Sequence, residues 1–250
     1  MMLITAEQMK NLKSIPNSGY ELIKVEFLFH SNKLEGSTFT KENLEMYLNE
    51  NIIEGSHKVD DVLETINSTK LFDFVIDTLG EPLSERLILE FHQMLKQKTI
   101  DQERGFVGRY KKIPNMILGL GQNLDVAQPH EVPDKMESLL KSWESETVSI
   151  DTILKFHAEF EKIHPFQDGN GRIGRFIMLK QCIENDIDLI AIDEQFSREY
   201  KQALNKAQTK NDFTDLKAVI YACQQLTDEK MKNIQHTLDY IIREEVEFEY

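Results

Sequence analysis

Cysteine is nearly absent from this chain: Cys182 and Cys223 are the only two in 250 residues. Two are too few for a disulfide framework, so a reducing, cytoplasmic setting is expected. Basic residues are also short, with 29 Lys and Arg against 43 Asp and Glu and a formal charge of −14. Broad electrostatic binding to DNA or to an anionic membrane needs the opposite balance, so neither is an expected partner. No stretch approaches the roughly 18 consecutive apolar residues of a membrane span. Residues 1–15 lack the basic-then-apolar layout of a secretory leader, so secretion is not expected. Glycine and proline number only 11 and 6, a scarcity that favours helix.

What is present is helical periodicity. It predicts helices over 5–15, 21–34, a short segment capped by Thr40, 59–79, a Ser84-capped segment through 96, 133–146, 151–163, 172–185, 197–208, 212–225 and 228–245. Residues 109–128 hold the one β candidate, two short strands forming a hairpin around a turn-rich tract. No repeat, low-complexity linker or composition break divides the chain, so one mostly helical unit is expected. No helix-turn-helix pair fits the remaining residues.

The few glycines cluster, and one cluster carries chemistry. Ile163-His164-Pro165-Phe166-Gln167-Asp168-Gly169-Asn170-Gly171-Arg172-Ile173-Gly174-Arg175 lies between two predicted helices. Pro165 ends the first helix, because the residue before proline is pushed out of the α region. Asp168 to Gly171 is a turn whose successive N–H groups can form an anion nest, and the next helix adds its positive end. Arg172 and Arg175, three apart, project to one side of that helix and suit phosphate. No Gly-Lys-Ser/Thr follows, so this is not a Walker A loop. Asp168 beside phosphates calls for a bridging Mg²⁺, and His164 at the mouth suits a general base. Singly, each element is an ordinary turn or helix end; together they are the parts of a phosphoryl- or nucleotidyl-transfer site.

His164 to Arg175 resembles the signature of the Fic (filamentation induced by cAMP) family, His-x-Phe-x-Asp/Glu-Gly-Asn-Gly-Arg-x-x-Arg, with every fixed position filled. The likeness extends over roughly 85–225 and implies an all-α Fic fold, a helical bundle with a small β-hairpin flap. It also implies a protein adenylyltransferase. His164 would deprotonate a Ser, Thr or Tyr hydroxyl on a target protein, which takes AMP from ATP. Asp168 would hold Mg²⁺, Gly169, Asn170 and Gly171 would form the anion hole, Arg172 would stabilise pyrophosphate, and Arg175 would meet the γ-phosphate. Phe166 would anchor the loop in the core. Doc-type relatives, which phosphorylate, carry lysine where Arg172 stands. The flap would align the target by strand addition, with Ile113, Met116 and Ile117 gripping target or adenine or simply packing the flap down. The family's adenine-pocket Tyr pair and Asn fall here at Tyr200-Lys201 and Gln208, a departure in both places.

Ser31 and Glu35, four apart at the end of the helix over 21–34, share a face, and an acid in a last turn invites a cation partner. Ser31-x-x-x-Glu35-Gly36 resembles the family's inhibitory-helix motif, which implies a Glu35–Arg175 pair that displaces the γ-phosphate. The expected layout is an N-terminal helical region over 1–80 containing the inhibitory helix (about 21–36), a core over 85–225 and a C-terminal helix over 226–250, all in one structural unit. Partners implied are ATP, target proteins including the chain itself, and a second copy as homodimer. The same fold also admits de-AMPylation, UMP or phosphocholine transfer, and a catalytically silent nucleotide-binding scaffold. His157, two turns before His164, reads as structural.

Overall fold

Short polar side chains start five of the eleven described α-helices. In the computed structural model, which describes residues 5–15, 18–116 and 126–248 (without the side chains of 231 and 233–248), the hydroxyls of Thr5, Ser18, Thr40, Ser84 and Ser149 each accept a backbone N–H of the helix that follows. The described helices are α1 (Ala6–Lys13), α2 (Gly19–Leu34), α3 (Lys41–Glu50), α4 (Val59–Asp77), α5 (Glu85–Lys96), α6 (Ile100–Glu103), α7 (Val132–Ser145), α8 (Ile150–Ile163), α9 (Asn170–Glu184), α10 (Ser197–Lys210) and α11 (Thr214–Phe248). A single 3-10 turn, Glu194–Phe196, precedes α10.

The motif helix α9 is the centre of the fold. Every residue from Arg172 to Ile183 is buried, the pattern of a helix covered on all sides rather than on one stripe. One apolar cluster joins α9 to α2, α4, α5 and α8 through Phe27, Phe72, Phe91, Phe160 and Phe176. A second joins it to α8, α10 and α11 through Met178, Cys182, Leu154, Leu204 and Ile220. Lys180, fully buried, donates to the Thr78 carbonyl at 2.6 Å and pairs with Glu184 at 2.5 Å, so its charge is matched.

Helix α2 is fastened on three sides. Phe27 meets Phe176 of α9 at a centroid distance of 5.0 Å, and Asn32 Nδ2 donates to Ser68 Oγ of α4 at 3.1 Å. Buried Glu26 pairs with Lys41 of α3 and, at 2.9 Å, with Lys230 of α11. The chain after residue 34 is therefore delivered to one fixed place.

One expectation is not shown and one is corrected. The hairpin is not shown: residues 109–116 and 126–128 are irregular, and 117–125, which include Ile117, lie outside the described residues. Lys111 N–H donates to the Pro165 carbonyl at 2.8 Å, and Asn115 Nδ2 donates to the Phe166 carbonyl at 3.0 Å. Both bonds tie this segment to the motif loop. The two C-terminal helices expected over 212–225 and 228–245 run as one, α11. Neither glycine nor proline interrupts them, and Thr227 Oγ1 donates to the Cys223 carbonyl one turn back at 3.0 Å, leaving the ladder in place. A four-residue helix, α6, was not expected. Among the described residues no helix is long and apolar enough to cross a membrane.

Candidate active site

Helix α8 stops at Ile163, and His164 takes a left-handed conformation (φ 52°) as its cap, its N–H bonded to the Phe160 carbonyl. A non-glycine residue rarely sits there, and such positions concentrate at functional sites. Nδ1 of His164 faces the Glu161 carbonyl at 3.4 Å. A carbonyl only accepts, so Nδ1 carries the proton and Nε2 presents a lone pair. Burial, with Lys111 adding to it, holds the imidazole down at about 4. It is neutral, and so able to act as a base, at pH 7.

The loop between α8 and α9 is clamped internally. Asn170 Oδ1 accepts from the Phe166 N–H at 2.8 Å while its Nδ2 donates to the Phe166 carbonyl at 2.9 Å. Phe166 is fully buried and stacks on His92 of α5 at 3.9 Å, as expected of an anchor. His92 is a residue the sequence reading missed. Its Nδ1 accepts from the Gly108 N–H at 3.1 Å, so its Nε2 bears the proton and donates to the Asp168 carbonyl, also at 3.1 Å. One neutral imidazole thus joins the 108 segment to the motif loop.

At Gly169, φ is +83°, a conformation that a side chain strains. Among the described residues no side chain caps α9, which leaves its first N–H groups and positive dipole end for an anion. Glu35 lies against Gly171. A β-carbon on Gly171 would collide with Glu35 Oε1, so glycine is required for the approach. The same carboxylate takes a 2.7 Å bond from Arg175 Nη2, while Arg175 Nε and Nη2 each bond Ser31, at its hydroxyl and its carbonyl, at 2.9 Å. Burial alone would raise the Glu35 carboxyl, but Arg175 and Arg172 outweigh it and keep it below the usual range.

Arg172 is buried and pairs with Glu64 of α4, with Asp168 3.6 Å from its other nitrogen. Asp168 Oδ2 lies 2.5 Å from Lys96 Nζ of α5. Burial would raise the Asp168 carboxyl, yet Lys96 and Arg172 hold it down at about 2. Its side chain is 58% exposed, and oxygens of Glu64, Asp101 and Asp168 fall within 4.8 Å of one another. Three carboxylate oxygen donors, that of Asp168 the accessible one, fit a hard divalent cation such as Mg²⁺. Lys96 and Glu64 were not anticipated. The available signal was a His92–Lys96 pair four apart, beside the apolar stripe of α5.

Behind Arg175 lies a buried polar group. His157 Nε2 meets the Tyr200 hydroxyl at 2.6 Å, and Glu161, pushed up to about 8 by burial, stays protonated at pH 7. His157 is structural, as read. Tyr200 is buried in this group, whereas Gln208 donates to the Ala158 carbonyl at 3.2 Å on the wall of a cavity of about 880 Å³ between α7, α8 and α10. Neither Tyr200 nor any residue of 164–175 lines that cavity. Ile113 and Met116 are 53% and 61% exposed beside the motif loop.

The Fic/DOC family model matches residues 82–182. A curated relative described as a probable protein adenylyltransferase from Aquifex aeolicus is 29% identical over 202 residues, 76% of this chain and 59% of the relative. The chain therefore spans less than two thirds of that relative's length. The similar solved structures include two crystal structures. One is a Fic domain containing signaling protein from Bacteroides thetaiotaomicron, with a TM-score of 0.72 and 22% identity, covering 92% of this chain and 94% of that one. The other is a Fic family protein from Desulfovibrio desulfuricans, also at 0.72, with 20% identity and coverage of 91% and 72%. At those identities the likeness is one of fold. With the His164–Arg175 loop inside the matched span and the fold shared along nearly the whole chain, residues 82–182 are a Fic/DOC-family domain.

Proposed function

We propose that the chain transfers AMP from ATP to hydroxyl groups of proteins and that Glu35 restrains it. The observation that carries this reading is the neutral His164, its Nε2 free, beside the uncapped start of α9 and two buried arginines. The hydroxyl oxygen of a target attacks the α-phosphorus, the bridging bond to the β-phosphate breaks, and pyrophosphate leaves. His164 Nε2 takes the hydroxyl proton. Backbone N–H groups at Gly169, Asn170 and Gly171, with Arg172, hold the phosphate oxygens as charge shifts onto the leaving group. Asp168 would carry Mg²⁺, which when bound neutralises phosphate charge.

Glu35 contacts Gly171 and holds Arg175, so the site as folded is filled by an acid of the chain itself. The γ-phosphate competes for the same guanidinium. The relative described as a probable protein adenylyltransferase supports the reaction class, and His164 and Asp168 weigh against a silent scaffold, which needs no base. Incubation with α- and γ-labelled ATP, and with α-labelled GTP, CTP and UTP, in lysate tests it. Protein label from α-labelled ATP alone is expected. Label from the γ-position would make the chain a kinase, and label from UTP alone would make it a uridylyltransferase.

A further inference from the structure

Charged side chains from α4, α5 and α6 converge on Asp168. Lys96, 2% exposed at the end of α5, places its ammonium 2.5 Å from Asp168 Oδ2, 2.7 Å from Asp101 Oδ2 and against Glu64 Oε1. The second oxygen of Glu64 pairs with Arg172. Three carboxylates whose oxygens lie within 4.8 Å of one another surround one cation. A cavity of about 400 Å³ opens beside them, lined by Glu64, Lys96, Asp101, Phe106 and Asp168 among others.

We propose that the Lys96 ammonium occupies the divalent-cation position of the nucleotide-free chain, so that Asp168 accepts a metal only together with a nucleotide. This rests on the reading of Asp168 as the metal carboxylate. Three acids against Lys96 and Arg172 leave one net negative charge, too little to draw a bare divalent ion past an ammonium already in contact. A triphosphate changes the balance by bringing its own negative charge. The arrangement also explains why one lysine has three acids. Removing a buried lysine from its only partner is costly. Here Glu64 and Asp101, both more buried than Asp168, retain the ammonium when Asp168 is released.

The test is Mn²⁺ titration of the full chain without nucleotide, read by electron paramagnetic resonance. Wild type is expected to bind no more Mn²⁺ than Asp168→Asn. Lys96→Met is expected to gain one site at least about tenfold tighter, lost again in Lys96→Met/Asp168→Asn, while Lys96→Arg stays like wild type. Equal Mn²⁺ affinity in wild type and Lys96→Met overturns the proposal. If circular dichroism shows Lys96→Met unfolded, wild type decides. Mn²⁺ uptake at Asp168 without nucleotide contradicts the proposal, and uptake only with a non-hydrolysable ATP analogue supports it. None of these readouts needs turnover, so failure of AMP transfer is told apart from failure here.

Discussion

Nη2 of Arg175 lies 2.7 Å from Oε1 of Glu35, although 140 residues separate them in the chain. Ser31, one turn before Glu35, takes two more bonds of the same guanidinium. An arginine so engaged is not available to a phosphate, and the carboxylate that engages it also fills the space over Gly171. Glu35→Gly removes that carboxylate and leaves α2, which ends at Leu34, otherwise intact. Labelling of the chain and of targets by α-labelled ATP is expected to rise at least about tenfold, the equivalent of ~1.4 kcal/mol of competition for the site. Equal labelling of wild type and variant would remove the restraint from the account.

Gly174→Ala should reverse the usual helix preference. Inside a helix alanine normally stabilises by about 1 kcal/mol over glycine. At 174 a β-carbon would lie 2.9 Å from Glu161 Oε1 and 3.1 Å from His157 Cε1, both on buried side chains. Overpacking of that kind costs roughly 1–3 kcal/mol, which for a chain of this size lowers Tm by several degrees. Thermal denaturation checks it, and a raised Tm would show that the buried group behind Arg175 yields freely.

Acidity acts on rate and on stability through different residues. Burial, with Lys111, holds His164 at about 4. Glu35 itself holds that value up, so the acid limb of kcat/KM for Glu35→Gly should fall at about pH 4 or below, well under the ordinary histidine value of about 6.5. Stability follows three buried histidines, His92 and His157 lowered to about 3 and His164 to about 4. As pH falls below 6.5 the unfolded chain binds their protons first, so the folded state loses stability. Glu161, raised to about 8, works oppositely between its unfolded value and 8, where the folded chain holds the extra proton. Net, about two protons favour the unfolded chain between pH 5 and 6, near 2.7 kcal/mol per pH unit. Above about 7 the Glu161 contribution outweighs that of the histidines among these four, and stability declines toward pH 8. A Tm measured across pH 5 to 8 should peak near about 7.

Much of this site could be read from the chain because its residues are contiguous. His164 to Arg175 places a helix end, a turn and a helix start in thirteen consecutive positions counted from Ile163, and each has a local signal. The Ser31–Glu35 spacing was legible for the same reason. Lys96, Glu64 and His92 were not, since their meaning comes from α4 and α5 packing beside the loop, and a charged residue on an amphipathic helix ordinarily faces water. The hairpin was read from alternation and turn residues. That pattern does not reveal that Lys111 and Asn115 spend their hydrogen bonds on the loop at 163–167. The break expected in α11 at 226–227 has neither glycine nor proline behind it, so nothing in the chain ends the helix there.

His164 as the base of adenylyl transfer is the centre of this account. It is tested most directly by comparing Glu35→Gly with Glu35→Gly/His164→Ala for incorporation of label from α-labelled ATP, with ATP binding measured on both. The account predicts strong protein labelling in the first, loss of it in the second, and equal ATP binding in the two. Undiminished labelling in the double variant would contradict it.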